Sequence, residues 1–230
     1  MQLSKNTVTI LKNFAAINPG IVIFPGSSLR TVSIDKTVVA EATIEETFDR
    51  EVPLYNVNEF LSVLGLFKNP DLTFTDDHVL LVEGKSRQKY YYSNKGNIEH
   101  KTTNMPQLEY NVSVDLSREE LDRLTRAMSV NGATHYVFMN DKDSNIKVCA
   151  AEVDIQSGEL KRKTGVFELD FVDVKHNKNF NFFVDKNIFK IIDQNYTAFL
   201  YFKDGKKLVH LESDVVKYWC AVESYSTAEE

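Results

Sequence analysis

Six basic side chains are the residues best placed for chemistry in this chain, and each falls where an amphipathic helix would turn it outward. Projected at about 100° per residue, the stretch from Leu3 to Gly20 (LSKNTVTILKNFAAINPG) puts Val8, Leu11, Phe14, Ala15 and Ile17 on one side. Lys5, Thr9, Lys12, Asn13 and Ala16 lie opposite, a basic face with no carboxylate. In Leu116 to Gly132 (LSREELDRLTRAMSVNG), Leu121, Leu124, Ala127 and Met128 form the inner side and Arg118, Arg126 and Ser129 the outer one, diluted by Glu119, Glu120 and Asp122. A third set, Lys186 and Lys190, stands opposite Ile188, Phe189, Ile191 and Ile192, with Asp193 nearby. Any one such cation is an ordinary solvated residue. The recurring set points to contact with phosphates. No aromatic residues interleave these positions, which excludes base stacking along a single strand. No row of Arg, Asn and Gln offers itself to base edges, so the contact expected is blind to sequence.

No other constellation supports chemistry. There is no glycine-rich phosphate loop, no Gly-x-Ser-x-Gly elbow and no His-Glu-x-x-His. His78, His100, His135, His176 and His210 are scattered through turns and strands, so no metal site is expected, and no cofactor. Asp76-Asp77, Glu45-Glu46 and Glu119-Glu120 read as turn or solvated helix residues rather than acid/base pairs. Cys149 and Cys220 match no metal spacing and sit in strand-like runs, the signature of buried, reduced thiols in a reducing cytosol. A net charge of −6 from 27 basic and 33 acidic residues argues against a protein coated in nucleic acid but leaves room for a local basic surface. Polar Gln2, Ser4, Lys5 and Asn6 stand where a signal peptide needs an apolar core, and no run approaches the ~18 residues of a membrane span. The chain is expected to stay in the compartment where it is made, away from membranes.

The elements that must hold these cations occur twice. Ser4 and Ser117 are N-caps, and Gly20 and Gly132 read as stops. After the first helix come strands at Ile21 to Phe24, Leu29 to Ile34, Thr37 to Thr43 and Arg50 to Leu54. Asn56 then caps a second helix, NVNEFLSVLGLF, with a broad apolar face (Val57, Phe60, Leu61, Val63, Leu64, Phe67) that predicts deeper burial than the first. Three strands close this half. Residues 94–109 are polar and broken by Pro106, a connector. The second half repeats the order from Tyr110, and Asp185 caps a fourth helix, DKNIFKIIDQ, in which Asp185, Asn187 and Phe189 fall on Asn56, Asn58 and Phe60. The first helices are displaced by 113 residues and the second pair by 129, an insertion of 16 that the loop 154–165 accommodates. An internal duplication follows, with domains 1–109 and 110–230 each able to bury a core.

This arrangement, with lysines on its helices, is similar to that of the DNA sliding clamps. LSKNTVTILKNFAAINPGIVI resembles the N-terminus of the processivity clamps of T-even-type bacteriophages, including Lys5, Lys12, the Leu-Lys-Asn-Phe-Ala core and the Ile-Asn-x-Gly-Ile exit. LYNVNEFLSVLGL resembles their second helix. In the second half Arg126 is the one basic helix position that matches. The resemblance implies an α+β DNA-clamp fold of two repeated domains, each with two helices packed on antiparallel sheet, assembling into a homotrimeric ring. It implies Lys5, Lys12, Arg118, Arg126, Lys186 and Lys190 facing duplex DNA, no catalysis, and partners in the phage DNA polymerase and an ATP-driven clamp loader, with late-transcription factors in T-even relatives. The setting implied is the cytoplasm of an infected bacterial host. Clamps capture partner peptides beside the connector, which makes Met105, Pro106 and Leu108 the candidate rim of a pocket, although the relatives carry a longer Pro-rich stretch there. Two other readings compete: a non-catalytic β-rich phage structural or assembly protein, and a diverged enzyme with a deep polar pocket.

Overall fold

The structure is a computed structural model that describes residues 1–100, 105–141, 143–154, 158–161 and 165–229. It divides into two compact units, Met1–Met105 and Pro106–Glu230.

The first unit begins with α1, Lys5–Ile17. The Ser4 hydroxyl accepts the Thr7 N–H at 3.2 Å, the cap its position predicts. A second cap comes from 42 residues downstream: the Glu46 carboxylate takes the Ser4 N–H and the Thr7 hydroxyl. Glu46 belongs to strand β3 rather than to a turn or helix. Ile10, Leu11 and Phe14 are fully buried, on a face rotated slightly from the expected one so that Thr7 and Ile10 go in while Val8 stays half-buried. Gly20 is not the stop. Asn18 ends the helix and its side chain holds the carbonyls of Val32 and Glu99. Gly20 is needed for space, because a Cβ there would meet Ile98 and the Tyr55 carbonyl at 3.1 Å.

Strands β1 (Ile21–Ile23), β2 (Gly26–Val32), β3 (Val38–Phe48) and β4 (Val52–Leu54) follow; β1 pairs with β4 and β2 with β3, all antiparallel. Helix α2, Val57–Leu64, is capped by Asn56 through the Glu59 N–H. It is less buried than α1, contrary to expectation: only Val57 and Phe60 are covered, and Leu61, Val63 and Leu64 are half-exposed. Strands β5 (Asp71–Phe74), β6 (His78–Glu83) and β7 (Ser86–Tyr91) form an antiparallel sheet. Met1 closes the β5 edge through two main-chain bonds with Leu72, so the open edge is β7.

The second unit opens with β8 (Val112–Leu116) and α3 (Arg118–Val130), where Ser117 and Glu120 form a capping box. Leu121, Leu124, Ala127 and Met128 are buried as predicted. Gly132 does stop this helix: its φ is +64°, and the Ala133 N–H reaches back to the Met128 carbonyl at 3.0 Å. Strands β9 (His135–Asn140), β10 (Asn145–Ala151), β11 (Val153–Asp154), β12 (Glu159–Leu160), β13 (Phe167–Lys175) and β14 (Phe180–Asp185) follow. The expected insertion is in part the short β11/β12 pairing; residues 155–157 and 162–164 lie outside the described residues. Strands β15 (Tyr196–Lys203), β16 (Lys206–Glu212), β17 (Val216–Ala221) and β18 (Thr227–Ala228) complete the unit. The neighbours run β8-β15-β16-β17 in one sheet and β13-β10-β9-β14-β18 in another.

The expected fourth helix does not form. Residues 186–195 make one turn and then run irregularly. Three β-branched residues, Ile188, Ile191 and Ile192, weaken the helix intrinsically, and tertiary partners take the backbone instead. The Tyr218 hydroxyl accepts the Ile192 N–H at 3.2 Å, and the Tyr196 hydroxyl donates to the Ile192 carbonyl at 2.7 Å. Phe189 stacks on Tyr136 with centroids 4.3 Å apart. Among its described residues the second unit therefore has one α-helix where two were expected. Both cysteines are buried free thiols, and no helix among the described residues is long and apolar enough to cross a membrane.

Candidate nucleic-acid interface

On α1 the exposed residues are Lys5, Asn6, Thr9, Lys12 and Ala16; Lys5, Thr9, Lys12 and Ala16 are separated by three or four positions and therefore aligned in one stripe. Neither lysine has an ion pair among the described residues. The stripe borders a groove of about 420 Å³ between α1 and α2, lined by Lys5, Lys12 and Lys68 with apolar Val8, Leu61, Leu64 and Phe67 beneath. No carboxylate lines it. The helix that presents these lysines is fixed by Glu46; burial pushes that carboxyl up, but the bonds from Thr7 and Ser4 outweigh burial and hold it below its ordinary value. A negative charge there also suits the positive end of the helix.

The corresponding cations of the second unit are differently placed. Arg118 is exposed but pairs with Asp193 at 2.7 Å, and Arg126 pairs with Asp122 one turn back. Lys186 is exposed, with its Nζ 3.4 Å from the Ala133 carbonyl. Lys190 lines a groove of about 350 Å³ between α3 and residues 189–193, in company with Asp122 and Asp193. Lys186 and Lys190 project from a turn and coil rather than from a helix. Exposed pairs of this kind hold by about 0–1 kcal/mol, so a phosphate can replace the carboxylate.

At the expected pocket rim Met105 and Leu108 are half-buried and Pro106 is exposed; residues 101–104 of the connector lie outside the described residues. Just beyond, the Tyr110 hydroxyl bonds His210 Nδ1 at 2.6 Å, and His210 lies flat on Trp219 with centroids 4.6 Å apart. Burial drives the His210 pKa down to about 4.

Comparison with known proteins decides what such a chain is. The sequence is 30% identical over 229 residues to the sliding clamp of Escherichia phage RB69, covering 99% of both chains, and 32% identical over 200 residues to that of Vibrio phage KVP40, covering 85% of this chain and 88% of that one. The chain belongs to the sliding clamps. The family of DNA polymerase processivity factors matches residues 4–102. Among solved structures, a PCNA from A. fulgidus bound to the C-terminal region of FEN-1 superposes with a TM-score of 0.68 at 13% identity, covering 99% of this chain and all of that one. A β clamp from H. pylori gives 0.65 at 15% identity, with this chain spanning 63% of its length. At these identities the structural likeness speaks for the fold alone, and it is the DNA-clamp fold. This sliding clamp is a processivity factor of T-even phage type, not an enzyme, and the assembly-protein and diverged-enzyme readings are set aside.

Four features of the clamp escaped the sequence. Glu46 fixes α1 from a distant strand, which local patterning does not reveal. Lys68 joins the α1 groove from just beyond α2. Arg123 is exposed on the flank of α3 with no ion pair among the described residues, and its position in the helical projection was the available signal. His135, Asp185 and Glu223, far apart in sequence, also come within 4.8 Å of one another by their ligand atoms.

Proposed function

We propose that three copies of this sliding clamp close head to tail into a ring around duplex DNA, with Lys5 and Lys12 of each subunit as the principal phosphate contacts. Arg118, Arg126, Lys186 and Lys190 are the secondary ones. The carboxylate-free stripe on α1, whose two lysines have no ion pair among the described residues, carries this reading, because a ring that holds DNA by topology needs only weak, sequence-blind phosphate contacts and stays free to slide. Closure has complementary edges available. Strand β7 is open and exposes Arg87 and Lys89, whereas β13, nine residues long at the margin of its sheet, exposes Glu168, Asp170 and Asp173. Pairing these edges between copies would hide both. Domains 1–109 and 110–230 are the repeated units of this ring.

The partners follow from the same reading: a phage DNA polymerase tethered for processive synthesis, an ATP-driven clamp loader, and late-transcription factors, all in the cytoplasm of the infected bacterium. Their peptides dock at Met105, Pro106 and Leu108. The H. pylori β clamp with a DNA ligase peptide and the PCNA with a FEN-1 segment show that clamps accept such peptides. Electron microscopy of the purified protein tests the assembly: trimeric rings with a central hole wide enough for duplex DNA are expected, and a solid particle would refute it. A Met105→Ala, Leu108→Ala variant should bind a polymerase tail peptide at least about tenfold more weakly, a loss of about 1.4 kcal/mol; unchanged affinity removes the pocket assignment.

A further inference from the structure

His135, Asp185 and Glu223 make a cluster that the clamp function does not use. His135 opens β9 and stands directly opposite Asp185, the last residue of β14, in the antiparallel ladder. Glu223 follows β17 and is tied to the same place by its N–H bond to the Phe183 carbonyl at 2.8 Å. One ligand atom from each residue lies within 4.8 Å of the other two. His135 is only 4% exposed, and both carboxylates are half-buried. Neither carboxylate has an ion-pair partner among the described residues. The neighbouring Lys186 turns its Nζ toward the Ala133 carbonyl.

We propose that His135, Asp185 and Glu223 bind one divalent transition-metal ion of the zinc class. Two negative charges held this close repel unless a cation lies between them. The buried imidazole of His135 brings a ring nitrogen to the same point as the two carboxylates. The Thr134 hydroxyl lies 2.8 Å from Nδ1 and orients the ring; with Nδ1–H donating to it, Nε2 is the nitrogen that carries the lone pair. Nε2 faces the Tyr225 hydroxyl at 3.0 Å. One nitrogen and two carboxylate oxygens suit zinc better than magnesium or calcium, which prefer oxygen alone. Water or the Tyr225 hydroxyl completes the shell. Apolar Val137, Val153 and Phe183 pack behind it. The ion would lock the turn after β17 onto the ends of β9 and β14, at the root of the segment carrying Lys186 and Lys190.

The test uses the full, tag-free chain stripped of metal by chelator. Equilibrium dialysis against zinc chloride should load one equivalent per chain, and magnesium chloride in large excess should not displace it. At about a hundredfold over Kd, the Tm should rise by about 5–10 °C. Glu223→Gln and Asp185→Asn should each weaken zinc binding at least tenfold and abolish the rise, while their metal-free circular dichroism matches wild type. If Asp185→Asn disturbs the fold, Glu223→Gln decides alone. No zinc-dependent rise in wild type, or equal zinc affinity in Glu223→Gln, overturns the proposal.

Discussion

Helices α1 and α3 share a serine cap and a buried apolar side, yet their free sides differ. On α1 the lysines, with no ion pair among the described residues, stand above a groove without carboxylates; on α3 Arg118 and Arg126 are occupied by Asp193 and Asp122, and Arg123 alone has no ion pair among the described residues. The elements that follow diverge further, since α2 is a true helix and residues 186–195 are coil held by Tyr196 and Tyr218. Packing has kept the inner faces alike, because each must fill a core, whereas nothing in folding requires the outer charges to match. The first unit offers lysines with no carboxylate beside them, whereas in the second Arg118 and Arg126 are held by carboxylates and Arg123 and Lys186 are not, among the described residues.

The largest expected difference between the units is their response to acid. In the second unit burial lowers the pKa of His210 to about 4, against the pull of Glu212 and with Lys217 adding to the effect; burial and then Lys178 lower that of His176. An unfolded chain takes those protons near pH 6.5, so the stability they lend is complete above that pH and falls as pH drops from 6.5 toward 4. In the first unit Asp35 and Glu46 are held below their ordinary carboxylate values, and their contribution is lost only at lower pH, below about 4.5. Hydrogen exchange during acidification should show β16 and β17 losing protection before β6. Trp219, the single tryptophan, reports the same event by fluorescence. Simultaneous loss below pH 4.5 would erase this contrast.

A smaller effect sharpens the contrast between α2 and its irregular counterpart. Tyr218→Phe leaves the Ile192 N–H without its partner and should cost about 1–3 kcal/mol, read as a lower denaturant midpoint. Helix α2 also receives a tyrosine hydroxyl, from Tyr90 to the Asn56 carbonyl at 3.1 Å, but that carbonyl already accepts the Phe60 N–H within the helix. A midpoint unchanged in Tyr218→Phe would mean that residues 186–195 hold their path without the tyrosine.

Local chemistry accounts for what was readable from the sequence. Serine caps, alternating strands and turn residues located α1, α3 and nearly every strand, because each is decided within a few residues. The fourth helix misled because its apolar spacing is helical while its backbone is claimed by Tyr218 and Tyr196, remote in the chain or on a neighbouring strand. Glu46 was missed for the same reason: a carboxylate on β3 caps a helix about forty residues earlier. Lys5 and Lys12 were readable as an outward pair from spacing alone. The pairing of Arg118 with Asp193 was not, since it joins residues 75 apart.

The central claim is that the α1 stripe touches DNA, and polymerase run length measures it most directly. Lys5→Ala with Lys12→Ala should leave stability within about 0.5 kcal/mol, as exposed helix positions usually do, and should leave trimer formation intact. Processive synthesis with the variant clamp should shorten, more so at the higher of two salt concentrations and equally on two unrelated templates, because the lost contacts are to phosphates. An undiminished run length at both salts, or a loss that depends on the template, would contradict it.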